Sequence, residues 1–143
     1  MKIGFLTSST GWGGLERNLL RYASWLEECG HEAVVFAVDG APVARSAERF
    51  EAFERQPRYF AGPAAKRLAK RLRGLQVEVL WVRDPRDLAF AGMAAKRARI
   101  PLIFQQGMQF SKAKHTPWHA RRFGRVARWV APAHWLAEQA LRM

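Results

Sequence analysis

The sequence predicts an α/β domain of three layers, with helices on both faces of a mostly parallel sheet. Two patterns carry that reading. Before Asp39 the chain runs through an apolar strand, a glycine-rich turn, an amphipathic helix, a glycine stop and a second apolar strand. The same alternation of short apolar runs and helical stripes then continues to the end of the chain. Scale agrees: 143 residues, 49% hydrophobic and 25% charged, suit one domain with a buried core and are too apolar for a disordered chain.

Ile3 to Thr7 is a short apolar run closed by Ser8-Ser9-Thr10-Gly11, the pattern of a buried strand. From Gly14 to Cys29, Leu15, Leu19, Leu20, Ala23 and Leu26 recur on one helical face, and Gly30 supplies the stop. Ala33 to Val38 is the second strand, closed by Asp39-Gly40-Ala41-Pro42. Tyr59-Phe60 is expected to be a short third strand. Ala64 to Leu75 reads as a helix, Val77 to Val82 as a strand, and Asp84 to Arg99 as a helix that ends before Pro101. Pro101 to Gln105 and Val126 to Ala131 read as two more strands, and Ala133 to Met143 as the start of another helix. That last pattern is still running at Ala140-Leu141-Arg142-Met143, with no cap or stop, so the chain is expected to be one part of a longer protein.

Gly11-Trp12-Gly13-Gly14 joins the first strand to the first helix. Glycines there allow a tight turn and let a phosphate approach the amides of a helix N-terminus. A strict dinucleotide fingerprint asks for a third glycine three residues after Gly13, where this chain has Glu16. Asp39, at the end of the second strand, matches the place of a ribose-binding acid. Taken alone, the loop is as compatible with a plain tight turn.

The residues that follow are more specific. Gly13-Gly14-Leu15-Glu16-Arg17-Asn18-Leu19-Leu20, then Gly30-His31-Glu32-Ala33-Val34-Val35, resemble the opening of family 4 glycosyltransferases. Val79-Leu80-Trp81-Val82-Arg83-Asp84, Ile100-Pro101-Leu102-Ile103-Phe104-Gln105-Gln106 and Trp129-Val130-Ala131-Pro132-Ala133-His134 extend the resemblance over nearly the whole chain. It implies the N-terminal, acceptor-side half of a GT-B fold, in which two Rossmann-like domains face a cleft. The donor-binding C-terminal half, with its Glu-x7-Glu motif, is not among these 143 residues. The implied activity moves a sugar from a nucleotide-sugar donor to a saccharide or lipid-linked acceptor, with retention at the anomeric carbon. Nucleotide-sugar is then a substrate, and neither a cofactor nor a metal is expected. The isolated chain is expected to be inactive.

Within that frame the Gly13 and Gly14 amides and Arg17 are candidates for the donor diphosphate, where charge develops as the glycosidic bond breaks. Many family members carry a His after the fifth strand. Here the stretch is Gln105-Gln106-Gly107-Met108-Gln109, and glutamine cannot act as a base. Gln105, Gln106 and Gln109 are therefore expected to contact sugar, and Arg83, Lys112, Lys114 and His115 to line the acceptor side; the catalytic residue is not identified. His115 and His119 are four apart, but Pro117 lies between them and no carboxylate is near, which speaks against a metal pair.

Twenty-four Lys and Arg against 12 Asp and Glu give a net charge of +12, which concerns partners rather than fold. Lys66, Arg67, Lys70, Arg71 and Arg73 flank the apolar stripe of one helix and form a candidate patch for an anionic membrane or another polyanion. A basic binding module for nucleic acid or a dinucleotide is the alternative class. However, no helix-turn-helix spacing, zinc-ligand set or RNP-like strand is present, so no specific nucleic-acid partner is expected. The six tryptophans are scattered, which fits core and cleft walls better than a stacking platform. The single cysteine, Cys29, rules out an internal disulfide and is expected to be a buried thiol in a reducing cytosol. Expected location is therefore cytoplasmic, with a peripheral seat at the inner face of the cell membrane.

Overall fold

The computed structural model describes residues 1–53, 61–109 and 117–142, with Trp118 and His119 described by backbone alone. Its elements run β1 (Lys2–Thr7), α1 (Gly14–Glu28), β2 (Glu32–Val38), α2 (Pro42–Ser46), β3 (Phe50–Phe53), α3 (Gly62–Gly74), β4 (Val79–Val82), α4 (Leu88–Ala98), β5 (Leu102–Gln105), α5 (Pro117–Phe123), β6 (Arg128–Val130) and α6 (His134–Leu141). The six strands form one sheet in the order β3-β2-β1-β4-β5-β6, and every pairing is parallel. The α/β Rossmann-like architecture is as the sequence predicts.

The strand order reverses beside β1. Right-handed crossovers therefore send α1 and α2 to one face of the sheet and α3, α4 and α5 to the other. The strands are apolar on both faces because both are covered. Ile3, Phe5, Ala33, Val35 and Ala37 face α1 and α2, meeting Leu19, Ala23, Val43 and Ala44. Leu6, Val34, Phe36, Leu80, Val82, Leu102 and Phe104 face the other way, against Ala65, Leu68, Leu72, Leu88, Ala91 and Ala94. Phe5, Phe36 and Phe104 are fully buried, each contributing roughly 2–3 kcal/mol relative to exposure.

Gly4 is a tight point of this packing. A Cβ there would lie 3.0 Å from Phe36 Cε2, 3.1 Å from Val77 Cγ1 and 3.3 Å from Leu80 Cδ1. Gly4→Val is expected to cost about 2–3 kcal/mol in denaturant unfolding, since the core on that side has no slack. Gly74→Ala, at a helix end with nothing within 4 Å, is the control and should not lose stability.

Three expectations need correction. The third strand of the sheet is Phe50–Phe53, and Tyr59-Phe60 lies outside the described residues. Cys29 is exposed rather than buried: it is the residue at which α1 ends, before Gly30 turns left-handed at φ 81°, so its side chain has left the buried stripe. Of the tryptophans, Trp12, Trp25 and Trp135 are exposed, whereas Trp81 and Trp129 are half-buried. The helices α2 and α5 are additions that the periodicity did not reveal.

Candidate functional site

In a sheet of this order the crevice opens at the carboxyl ends of β1 and β4, where neighbouring connections diverge to opposite faces. Three segments meet there: residues 8–13 after β1, Arg83 to Asp87 after β4, and Gln105 to Gln109 after β5. Hydrogen bonds tie the first two together. The Ser8 N–H donates to Asp87 Oδ2 at 3.0 Å, and Ser8 Oγ donates to Asp87 Oδ1. Asp84 takes the Arg86 N–H at 2.8 Å and its guanidinium at 2.6 Å, which closes the Asp84-Pro85-Arg86 turn. Arg122 of α5 donates to the carbonyl of Pro85.

Asp87 is buried and begins α4 without hydrogen bonding to that helix's amides. Burial pushes its carboxyl up to about 6, against the lowering effect of the two Ser8 bonds; Asp84 adds to the rise and Arg86 opposes it.

The glycine loop is partly satisfied from within. Glu16 Oε2 accepts the Gly13 N–H at 2.8 Å, and the Arg17 N–H bonds the Gly13 carbonyl at 3.1 Å. Burial tends to raise the Glu16 carboxyl, but hydrogen bonds with Ser9, its own N–H and Gly13 outweigh burial and hold it below its usual value. The Gly13 amide is therefore engaged by Glu16. The Gly14 and Leu15 amides sit in the first turn of α1, which has no earlier carbonyls to receive them. Gly14 is exposed, a Cβ there would meet nothing within 4 Å, and Arg17 stands exposed one turn on.

Arg83 sits under the loop, 6% exposed. Its Nη1 donates to the Leu15 carbonyl at 2.7 Å and its guanidinium lies 5.2 Å from the Tyr22 ring centre. Burial lowers its basicity, with Tyr22 and Glu16 opposing. Its bond to α1 anchors the first helical turn to the end of β4.

The glutamines divide. Gln105 is buried and donates to Tyr22 Oη at 3.1 Å. Gln106, 1% exposed, donates to the Met108 carbonyl at 3.1 Å and to Gln139 Oε1 at 2.9 Å, while its own Oε1 accepts the Trp129 indole N–H at 3.1 Å. Both amides are thus placed inside the protein rather than on its surface, and Gln109 is the exposed one. Gly107 is close to α1: a Cβ there would lie 2.5 Å from Leu15 Cδ2. Lys112, Lys114 and His115 lie outside the described residues. Asp39 follows β2 and is exposed.

Sequence reasoning missed Ser8, Asp87 and Gln139. Their only signal was position: a serine just past the first strand and an aspartate opening the helix after the fourth.

Of the proposed surface patch, Lys66, Arg67 and Lys70 are exposed. Arg71 pairs with Glu51 and donates to the Ala52 carbonyl, fastening α3 to the edge strand. Arg73 Nη1 donates to the Arg97 carbonyl at 2.7 Å, joining the ends of α3 and α4.

The profile described as Glycosyltransferase Family 4 matches residues 12–143. No curated protein matches the sequence. Among solved structures, the chain is similar to a glycosyltransferase from Rickettsia africae, at 14% identity and a TM-score of 0.78, covering 98% of this chain and 38% of that one. It is also similar to Anabaena HepE in complex with UDP-glucose, at 20% identity and a TM-score of 0.75, covering 99% and 40%. A putative UDP-N-acetylglucosamine 2-epimerase from Listeria monocytogenes superimposes at 11% identity and a TM-score of 0.73, covering 98% and 40%. The chain spans about 40% of the length of these structures.

Proposed function

Since the chain belongs to glycosyltransferase family 4, we propose that it is the acceptor-side half of an enzyme that transfers a sugar from a nucleotide-sugar, such as a UDP-sugar, to a saccharide or lipid-linked acceptor. The match over residues 12–143 carries this reading, because the fold is shared with an epimerase and does not itself choose the reaction. In it the nucleotide-sugar is the substrate, no separate cofactor takes part, and most of the donor site belongs to a second domain.

On this side of the cleft the departing diphosphate is assigned to the Gly14 and Leu15 amides and to Arg17. Negative charge grows on the leaving oxygen as the glycosidic bond breaks, and amides fixed at a helix start stabilise it without reorganising. The Gly13 amide is left out of this assignment, since Glu16 already holds it. Glu16 and Arg83 act behind the loop, one fixing its last turn and the other anchoring α1. Gln109 and the following Lys112, Lys114 and His115 are assigned to the acceptor side. Retention of anomeric configuration completes the proposal.

The test is transfer from radiolabelled nucleotide-sugars by this chain joined to its donor-binding domain, with the anomeric configuration of the product read by NMR. Arg17→Ala is expected to lower kcat/KM roughly tenfold or more, the scale of one lost charge contact in the transition state. The 143 residues alone are expected to release no nucleotide in the presence of acceptor. Turnover by the isolated chain would overturn the division of labour; an inverted product would overturn retention.

A further inference from the structure

Transfer of a glycosyl group to a hydroxyl releases a proton. The groups assigned to the diphosphate, the Gly14 and Leu15 amides and Arg17, only donate and cannot take it. Asp87 is placed differently. Among the described acids it and Asp84 are buried. Asp84 is answered by Arg86 Nη2 at 2.6 Å. Asp87 has no ion pair among the described residues; instead one oxygen takes the Ser8 N–H at 3.0 Å and the other the Ser8 hydroxyl. An aspartate that opens a helix ordinarily accepts its first amides and so stabilises it. Asp87 opens α4 and forgoes that bond. Burying a carboxylate without a cation costs free energy, and here the cost accompanies a bond to one hydroxyl at the crevice.

That hydroxyl is the outer member of the pair. Ser8 directly follows β1 and is half-buried, whereas Asp87 is 4% exposed. A hydroxyl that gives its proton to a carboxylate keeps two lone pairs with which to accept. Among the described residues no donor is bonded to Ser8 Oγ. The charges around Asp87 come from its own turn, where Asp84 raises its carboxyl and Arg86 lowers it; burial, the largest influence, lifts it to about 6. Behind that turn, Glu16 of α1 acts on Arg86, and Arg122 of α5 donates to the Pro85 carbonyl. A carboxylate so placed is mostly ionised at pH 7 and takes a proton more readily than an ordinary aspartate.

We propose that Ser8 and Asp87 form a proton relay for the acceptor hydroxyl, a step that rests on the transferase reading. The acceptor O–H donates to Ser8 Oγ while Ser8 Oγ donates to Asp87 Oδ1. As the acceptor oxygen bonds to the anomeric carbon, its O–H bond breaks and a new one forms on Ser8. The original Ser8 proton passes to Asp87, which becomes a carboxylic acid. The electron pair of the broken glycosidic bond leaves with the nucleoside diphosphate. Ser8 is thus the group that touches substrate, and Asp87 acts through it. The segment joining β1 to α1 then serves both ends of the transfer, with Ser8 at its start for the entering oxygen and the Gly14 and Leu15 amides at its end for the leaving one.

The experiment measures transfer by this chain joined to its donor-binding domain, in the wild type, Asp87→Asn, Ser8→Ala and the double variant. Asparagine keeps partners for both Ser8 groups, so Asp87→Asn is expected to unfold at pH 7 no earlier than the wild type. Its kcat should nevertheless fall roughly a hundredfold, with the acceptor KM within a few-fold of wild type. Ser8→Ala should lose about as much, and the double variant no more than either, because the two residues act as one unit. Wild-type kcat/KM should drop as the pH is lowered through about 6, and the residual activity of Asp87→Asn should lack that limb. Undiminished kcat in Asp87→Asn would overturn the relay, as would losses that multiply in the double variant or a change confined to KM. Absence of transfer by the wild type from every nucleotide-sugar would instead sink the transferase reading, so the two failures are told apart.

Discussion

On raising the pH from about 4 to about 7, the wild-type chain is expected to lose about 2 kcal/mol of unfolding free energy relative to Asp87→Asn. In the folded protein the Asp87 carboxyl is raised from 3.8 to about 6, first by burial, with Asp84 adding and Ser8 and Arg86 opposing. Unfolded, it returns to its ordinary value. Between these two values the folded state holds a proton that the unfolded state has lost, so the stabilisation is complete below about 3.8 and disappears as the pH rises through about 6. Asparagine imitates the protonated acid. Its Oδ1 can accept the Ser8 N–H, and its Nδ2 can donate to Ser8 Oγ, in place of the two bonds now made. Taking the difference between the two proteins removes the titration of every other carboxylate. Chemical unfolding at a series of pH values measures it, and a flat difference would mean that Asp87 titrates at its ordinary value. The same bonds join the loops after β1 and β4.

The fold was legible wherever burial was two-sided. Val34-Val35-Phe36-Ala37 and Val79-Leu80-Trp81-Val82 are continuous apolar runs because helices cover both faces, and such runs read plainly as strands. At the edge of the sheet that signal fails. Strand β3, Phe50–Phe53, carries Glu51 and is only partly buried, so Tyr59-Phe60 looked like the stronger candidate. Helix α5, Pro117–Phe123, was hidden for a related reason: it is short, and its residues carry no apolar stripe at helical spacing. The glycine loop was found from sequence, but not the fact that Glu16 already occupies one of its amides. That depends on which rotamer a first-turn glutamate adopts, and Glu16 is equally compatible with solvent until the loop's geometry is known.

Gln105-Gln106 illustrates the deeper limit. A polar pair at the end of a strand, on the ligand-binding edge, reads as a contact for substrate. Alternation along the strand gives the pair partners within the protein: Gln105 turns towards Tyr22 on one face and Gln106 towards Trp129 and Gln139 on the other. Sequence identifies the polar residue, but only packing identifies its partners. The partner of Gln106 on α6 is 33 residues away, and nothing local announces it.

That network makes the last prediction. Gln106→Leu is expected to destabilise the chain by about 3 kcal/mol or more, although leucine has nearly the same volume. The substitution removes three hydrogen bonds at a site 1% exposed. The Met108 carbonyl, Gln139 Oε1 and the Trp129 indole N–H each lose this partner. A hydrogen bond kept is worth roughly 1 kcal/mol net, whereas a buried group left without its partner forfeits about 1–3 kcal/mol of solvation. Gln139→Leu alone removes only one of the three bonds and should cost less. Made together with Gln106→Leu, it removes a bond that the first change has already broken, so the double variant should lose less than the two single losses combined. The coupling is read from the midpoints of denaturant unfolding at constant slope. If the losses simply add, the two glutamines do not share a bond.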